Sequence, residues 1–213
     1  MKRTFTLLIM GILVISSLGT KAQEWSTGVD LYSSYVWRGS KFGSGPAMQP
    51  SVEFSAGSFA IGAWGSYCFS EDQAMESDLY TSYEFSLGEK SSLTFTLTDY
   101  YFPGDGSKWF DGDSHFFEPM ASLGLGKVSL SGAYMTNADD VYFEAGLDLG
   151  PVNLFAGAGN GQYTDDEDFA LCNLGIGTSK EIKITDSFSI PVSGSLVLNP
   201  STEQFYVVVG ISL

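Results

Sequence analysis

The sequence is poor in basic residues, in histidine and in cysteine. Its 213 residues include ten Lys and Arg against 25 Asp and Glu, which gives a formal net charge of −15. Such an acidic chain repels polyanions, so we expect no nucleic-acid partner. One histidine and two cysteines also fall short of the ligand set of a usual zinc site. We therefore predict no metal site and no cofactor.

Long apolar runs are lacking after the first 22 residues. At the start, Lys2 and Arg3 precede an apolar run over residues 5–18, and small residues follow it. This order is typical of a secretory signal peptide, and the run is shorter than the roughly 20 residues of a spanning helix. We predict a signal peptide over residues 1–22 and one exported domain over residues 23–213. If that domain enters a membrane, it must do so as a closed barrel.

The exported part alternates between apolar and polar residues with a period of two, which is the period of a β-strand. Near the end of the chain, Phe205, Val207 and Val209 share one face of the last predicted strand. The first strand is predicted over residues 25–38, and its apolar face would carry Trp25, Val29, Leu31, Tyr35 and Trp37. No segment shows the pattern of an amphipathic helix.

The connections between these segments alternate in length. Short ones are predicted at 57–58, 88–91, 126–127, 150–151 and 185–187. Long ones are predicted at 39–46, 70–77, 103–114, 137–140, 161–168 and 199–203. Eleven connections imply twelve strands, and bacterial outer-membrane barrels have short periplasmic turns and longer outer loops. The prediction is an all-β fold, a single antiparallel up-and-down transmembrane barrel with both termini in the periplasm.

A soluble, lipocalin-like barrel would also alternate, because periodicity alone does not say which face is inside. The even strand count, the alternating loop lengths and the strand that ends the chain favour the membrane barrel.

Charged residues fall on the polar phase of the strands. A charge near the middle of a bilayer is costly on the lipid side, so these side chains are expected to line the lumen. The candidate lumen-lining residues are Asp30, Arg38, Glu53, Asp78, Glu84, Glu118, Glu144 and Asp148. Lys183 joins them if the tenth strand is long. An open acidic lumen would favour cations, whereas a closed, hydrogen-bonded interior would also satisfy these groups.

The two cysteines are predicted to remain free thiols. Cys68 falls on the inward phase of the third strand, and Cys172 falls on the outward phase of the tenth. A disulfide needs Cα atoms within about 7 Å. The strand phases therefore exclude a bridge and place the second thiol towards lipid.

Two other features are compatible with a specific chemical function and also with an ordinary structural role. Acidic loop segments, such as the one around Asp111 and Asp113, are either solvated loops or partial calcium sites that lack the later ligands of a calcium loop. His115 is either a histidine at a loop edge or part of a Ser–His pair of an outer-membrane lipid hydrolase. The adjacent Ser114 would point to the opposite face of a strand. We predict no catalytic residues.

Several short stretches resemble the TorF-family porins, small bacterial outer-membrane barrels. The matching stretches are Ser34-Tyr35-Val36-Trp37-Arg38-Gly39, Gly45-Pro46-Ala47, Gln49-Pro50-Ser51, Gly62-Ala63-Trp64-Gly65-Ser66, Asp99-Tyr100-Tyr101-Phe102-Pro103, Pro191-Val192-Ser193 and Asn199-Pro200. The resemblance spans most of residues 23–213 and implies a porin-like barrel without catalytic residues. The chain departs from such barrels at its end, where Leu213 stands in place of the usual aromatic residue.

These observations predict a barrel of the bacterial outer membrane that serves passive diffusion of small, cationic or neutral solutes. Its partners would be outer-membrane lipid, the barrel-assembly machinery and the solutes themselves. The alternatives are a non-transporting scaffold or surface-interaction barrel, the lipid hydrolase and the soluble binder.

Overall fold

The computed structural model describes residues 23–104 and 106–213, and these residues are mostly β-strand. The predicted signal peptide, residues 1–22, lies outside the described residues. Twelve strands form one closed barrel and two form a separate hairpin. The strands are β1 (Gln23–Tyr32), β2 (Tyr35–Trp37), β3 (Ser40–Phe42), β4 (Ala47–Ala56), β5 (Phe59–Cys68), β6 (Gln73–Gly88), β7 (Ser91–Tyr101), β8 (His115–Leu125), β9 (Val128–Met135), β10 (Asp140–Asp148), β11 (Asn153–Gly159), β12 (Ala170–Lys183), β13 (Ser189–Asn199) and β14 (Gln204–Ser212).

The barrel is antiparallel and up-and-down, because each barrel strand pairs with the next barrel strand along the chain. The last strand, β14, closes the sheet on β1, with Asp30 opposite Ser212 and Tyr32 opposite Gly210. The amide of Leu213 continues this pairing and donates to the carbonyl of Val29 at 3.0 Å. The prediction of a closed twelve-stranded barrel is confirmed.

The two faces of the wall differ as the alternation predicts. Large apolar side chains cover the outer surface, where Phe143 is 53% exposed and Val207 is 59% exposed. The inner face carries polar and charged side chains, and one row of paired residues runs from Tyr80 through Thr98 to Glu118. This arrangement is the reverse of a soluble barrel, which hides its apolar face inside.

Connections of different length gather at opposite ends of the barrel. Tight turns, such as 57–58 and 126–127, join strands at the end where β1 begins. Longer segments, such as 102–114 and 160–169, lie at the other end. The two three-residue 3₁₀ turns, Gly112–Ser114 and Gly161–Tyr163, belong to these longer segments. Within the described residues, no helix is long and apolar enough to cross a membrane.

The predicted first strand is wrong beyond Tyr32. The chain leaves the wall at Ser33, whose amide donates to the carbonyl of Val209 at 2.8 Å. Strands β2 and β3 then form a hairpin, the lumen hairpin (residues 35–42), instead of a continued strand and an external loop. Arg38 and Gly39 form its two-residue tip, with φ of 50° and 82°. Positive φ at both central residues is the geometry of the tight turn that suits twisted hairpins.

Three register shifts interrupt the pairing of the wall, and one of them, between Ser86 and Gly88, lies beside the turn that joins β6 to β7. The other two are β-bulges farther from the short turns. In β12, Leu171 pairs with Ala158 and Asn173 pairs with Gly157, which leaves Cys172 as an extra residue. The predicted outward position of Cys172 is therefore wrong, and the residue is fully buried. Both cysteines are free thiols, as predicted. In β6, Met75 is the extra residue, so β6 includes positions that the sequence pattern assigned to the loop 70–77.

Candidate functional site

The lumen hairpin crosses the interior of the barrel from one wall to the other. On the first side, the ring of Tyr35 lies 5.5 Å from the ring of Trp64 on β5. At the far side, the tip residue Gly39 packs against the backbone of Cys172 on β12. The predicted lipid exposure of Tyr35 and Trp37 is wrong, because both side chains meet aromatic residues of the inner wall.

An ion pair fixes the tip of this hairpin. The guanidinium of Arg38 donates from Nη1 to Glu118 Oε2 at 2.6 Å and from Nη2 to Glu118 Oε1 at 2.8 Å. A third hydrogen bond runs from Nη1 to the hydroxyl of Tyr163 at 2.8 Å. The planar guanidinium suits such two-point recognition of a carboxylate. Arg38 therefore joins the hairpin, β8 and the loop 160–169 at one point.

Aromatic rings enclose the same guanidinium. Its central carbon lies 4.3 Å from the ring centre of Trp37 and 4.5 Å from that of Tyr142. The hydroxyl of Tyr100 donates to Glu118 Oε1 at 3.1 Å. We call Arg38, Glu118, Trp37, Tyr142 and Tyr163 the Arg38 cluster.

The Arg38 cluster is packed rather than hydrated. The side chain of Glu118 is 2% exposed and that of Arg38 is 9% exposed, while Tyr163 is 1% exposed. A buried carboxylate and a buried guanidinium are tolerated only when they are paired and hydrogen-bonded. The hairpin and the cluster therefore narrow the lumen at this level.

Glu144 belongs to a neighbouring hydrogen-bond network that supports the Arg38 cluster. Its Oε2 atom accepts from the hydroxyl of Tyr142 at 2.5 Å and from Nδ2 of Asn173 at 3.0 Å. Asn173 Nδ2 also donates to the Tyr142 hydroxyl at 2.9 Å. Asn173 lies on the inner face through regular alternation with Leu174, so this network joins β12 to β10 directly beside the bulge at Cys172.

Below the hairpin, the lumen is open towards the end with short turns. A cavity of about 390 Å³ is lined by Val36 and Arg38 of the hairpin and by Glu144. A second cavity of about 510 Å³ shares Glu144 and reaches the turn at Lys127. Their shared lining makes them one vestibule that extends from the end with short turns to the hairpin.

The other predicted lumen residues are distributed along the wall. Asp30 lies at the closure of the barrel, opposite Gln49 and Ser212, and Glu53 accepts a hydrogen bond from the hydroxyl of Tyr80 at 2.9 Å. Asp78 is buried on β6, and its Oδ1 atom has no hydrogen-bond partner. Glu84 and Asp148 are exposed and lie near the short turns. The structure joins only Arg38 and Glu118 directly, and it places Glu144 next to them.

Sequence reasoning missed residues that contact the Arg38 cluster or lie near it. Tyr163 stands in a loop, so strand alternation carries no signal for it. Glu76 is 3% exposed on the inner face of β6, although the pattern assigned it to a loop. Glu76 shares the inward phase of Asp78, and the pattern missed it because the predicted strand began only after the loop 70–77.

His115 occupies a different place, at the start of β8. Its Nδ1 lies 2.8 Å from Asp99 Oδ1, and its Nε2 lies 2.7 Å from the carbonyl oxygen of Trp109. Both partners are acceptors, so both ring nitrogens serve as donors. A Ser–His pair needs a free ring nitrogen that accepts from the hydroxyl, and this arrangement provides none.

A family model and several solved structures match this chain. One solved structure, the improved crystal structure of Pseudomonas aeruginosa OprD, matches over 91% of this chain and 67% of that chain, with 11% identity and a TM-score of 0.38. That likeness is too low to support an argument here. No curated protein matches the sequence significantly. A family model described as bacterial protein of unknown function (Gcw_chp) matches residues 17–187. The chain therefore belongs to the Gcw_chp family of bacterial proteins.

Proposed function

We propose that this protein is an outer-membrane barrel for passive diffusion of small neutral or cationic solutes, with the lumen hairpin as its constriction. One observation carries the proposal: a closed barrel has an apolar exterior and a charged interior with a vestibule. Monomeric soluble proteins rarely expose apolar patches of this extent. A bilayer would cover the outer face, and water in the vestibule would hydrate the inner one.

The sign of the lumen charge supports a preference for cations. Carboxylates such as Glu53, Glu84 and Asp148 face the interior, while Arg38 is neutralised by Glu118. A groove or channel lined by one sign of charge enriches counter-ions and repels co-ions. The resemblance of the sequence to TorF-family porins supports the same proposal, as does a signal peptide over residues 1–22, which would deliver the chain to the assembly machinery.

A second function is favoured by the packing of the Arg38 cluster. If the hairpin never moves, the barrel does not conduct and serves as a scaffold or interaction module through its acidic outer loops. The same buried ion pair that constricts a pore would then be a permanent plug.

Current through single proteins in planar bilayers separates these functions. We expect cation-preferring channels from the purified full chain, and larger or more frequent openings from a variant that lacks Tyr35–Phe42. Absence of current from both proteins, each shown to be folded and inserted, would contradict diffusion and support the scaffold. Current from the shortened variant alone would identify the hairpin as a closed gate that needs a trigger.

A further inference from the structure

A further cavity of about 300 Å³ lies between the lumen hairpin and strands β5, β6 and β7, and it shares no lining residue with the vestibule. Five aromatic side chains line it: Tyr35, Trp37, Trp64, Tyr80 and Tyr100. Two carboxylates, those of Glu76 and Asp78, complete the lining together with Thr98. We call this cavity the aromatic–acidic pocket.

The two carboxylates lie together because they are two residues apart on one strand. Glu76 lies opposite Ser66 of β5, and Asp78 follows opposite Trp64. Both residues are buried, with Glu76 3% exposed and Asp78 7% exposed. Residues at i and i+2 of a strand share a face, so both acids point into the same pocket.

The hydrogen bonding of this pair is incomplete. The hydroxyl of Tyr35 donates to Glu76 Oε2 at 2.8 Å, but Asp78 Oδ1 is buried without a partner. A buried acceptor that lacks a hydrogen bond costs free energy in proportion to its lost hydration, and a carboxylate costs more than a neutral group. A molecule that brings a hydrogen-bond donor into the pocket would satisfy this atom.

Positive charge is also missing from this pocket. No basic side chain lines it, and the neighbouring Arg38 is held by Glu118. Among the described residues, the other ion pairs are His115–Asp99 and Lys183–Asp186, so neither pocket acid is in an ion pair. Two buried carboxylates without a cation favour the entry of one.

The lining selects the kind of cation. Aromatic faces attract organic ammonium groups through their negative π-surfaces. A metal ion fits less well, because no group of three or more His, Cys, Asp or Glu that could hold one occurs in residues 23–104 and 106–213. A primary ammonium has N–H donors for the unpartnered Asp78 Oδ1, whereas a quaternary ammonium has none. A cavity of about 300 Å³ limits the ligand to a small amine.

We propose that the aromatic–acidic pocket binds a small primary amine in its ammonium form. The ammonium group donates to Asp78 and Glu76, and the aromatic rings enclose the carbon body. This proposal rests on the proposed diffusion function, because the amine would reach the pocket through the lumen. It adds a substrate class to that function, namely small primary amines.

Binding in detergent solution tests the pocket without requiring transport. Benzylamine is the probe, benzyl alcohol removes its charge, and benzyltrimethylammonium removes its N–H donors. We expect saturable binding of benzylamine to the full chain by calorimetry, with affinity at least about tenfold above that of either analogue, because charged hydrogen bonds contribute strongly. Equal binding of all three compounds, or no binding of benzylamine, would overturn the proposal.

Variants locate the bound amine. Asp78→Asn and Glu76→Gln should each weaken benzylamine binding by about tenfold or more, while Glu89→Gln, which removes the same charge from an exposed turn, should leave it unchanged. Undiminished binding to both pocket variants would overturn the assignment. Heat-modified mobility in gels shows which variants are folded. If a variant does not fold, the comparison of the three ligands with the unaltered chain still tests the proposal.

Failure of the pocket differs from failure of the pore. Benzylamine binding without any bilayer current would support the pocket and contradict the diffusion function. Bilayer current without benzylamine binding would support the diffusion function and contradict the pocket.

Discussion

Arg38 and Glu118 lie 80 positions apart in the sequence, yet they form a two-point ion pair with nitrogen–oxygen distances of 2.6 and 2.8 Å. The pair connects the tip of the lumen hairpin to the inner face of β8. No other contact in the lumen joins a basic to an acidic side chain among the described residues. It is therefore the main electrostatic link between the hairpin and the wall.

Removing one member of this pair should release the hairpin. Glu118→Gln leaves a buried guanidinium without its counter-charge, which costs about 3–5 kcal/mol in buried pairs of other proteins. We expect a lower urea midpoint for unfolding in detergent and a larger channel current. Arg38→Met combined with Glu118→Met leaves no buried charge, so that double variant should unfold at a higher urea concentration than Glu118→Gln. If Glu118→Gln changes neither the midpoint nor the current, the ion pair does not hold the hairpin.

Gly39 should tolerate no side chain. A Cβ atom at this position would lie 2.0 Å from the carbonyl oxygen of Cys172, and φ is +82°. Gly39→Ala should therefore displace the hairpin tip and expose the thiol of Cys172, at a cost of about 1–3 kcal/mol or more. The measurement is the rate at which a maleimide labels Cys172 in the folded protein.

Gly150→Ala is the matched control, because Gly150 has φ of +90° but nothing within 4 Å of its Cβ position. It carries the same backbone strain without the clash, so its labelling rate should equal that of the parent. Faster labelling in both variants would show that general destabilisation, and not displacement of the hairpin tip, exposes the thiol. A mass spectrum of the unreduced parent should show no Cys68–Cys172 bridge.

The strand count and most of the strand phases were predictable because both depend on local alternation. In β14, Phe205, Val207 and Val209 lie on the outer face as predicted. The hairpin was not predictable in this way, because β2 alternates as any strand does and only its distant partners place it in the lumen. The bulges at Met75 and Cys172 add one residue each, and a period of two does not reveal where such a residue falls.

The candidate site was predictable only in part for the same reason. Glu118 and Glu144 follow the inward phase of regular strands, so their position was evident. Tyr163 reaches the Arg38 cluster from a loop, so its position depends on tertiary packing rather than on local sequence. Glu76 continues the inward phase of Asp78 and was missed because the strand begins earlier than the sequence pattern indicates.

The orientation of the barrel gives a further prediction. In the proposed outer-membrane topology, the loop that contains Asp166 faces the medium and the turn at Lys127 faces the periplasm. Asp166→Cys should react with a membrane-impermeant maleimide on intact cells, whereas Lys127→Cys should react only after the outer membrane is opened. Both native positions are exposed, so accessibility in the folded protein is comparable. Labelling of Lys127→Cys alone on intact cells would invert the topology.

The inward acids should set the ion preference of the pore. Glu84 is exposed near the end of the barrel with short turns, and Glu53 faces the interior with one hydrogen bond from Tyr80. Replacing both by Gln preserves shape and removes two negative charges, so the ratio of cation to anion permeability should fall by roughly twofold or more at low salt, where screening is weak. Reversal potentials under a salt gradient measure this ratio.

Glu89→Gln, on an exposed turn, should leave the ratio unchanged. Because lumen charge acts through the local field, the difference between the double variant and the parent should shrink as the salt concentration rises. An anion preference in the parent, or an equal shift in Glu89→Gln, would contradict the assignment of selectivity to the lumen acids.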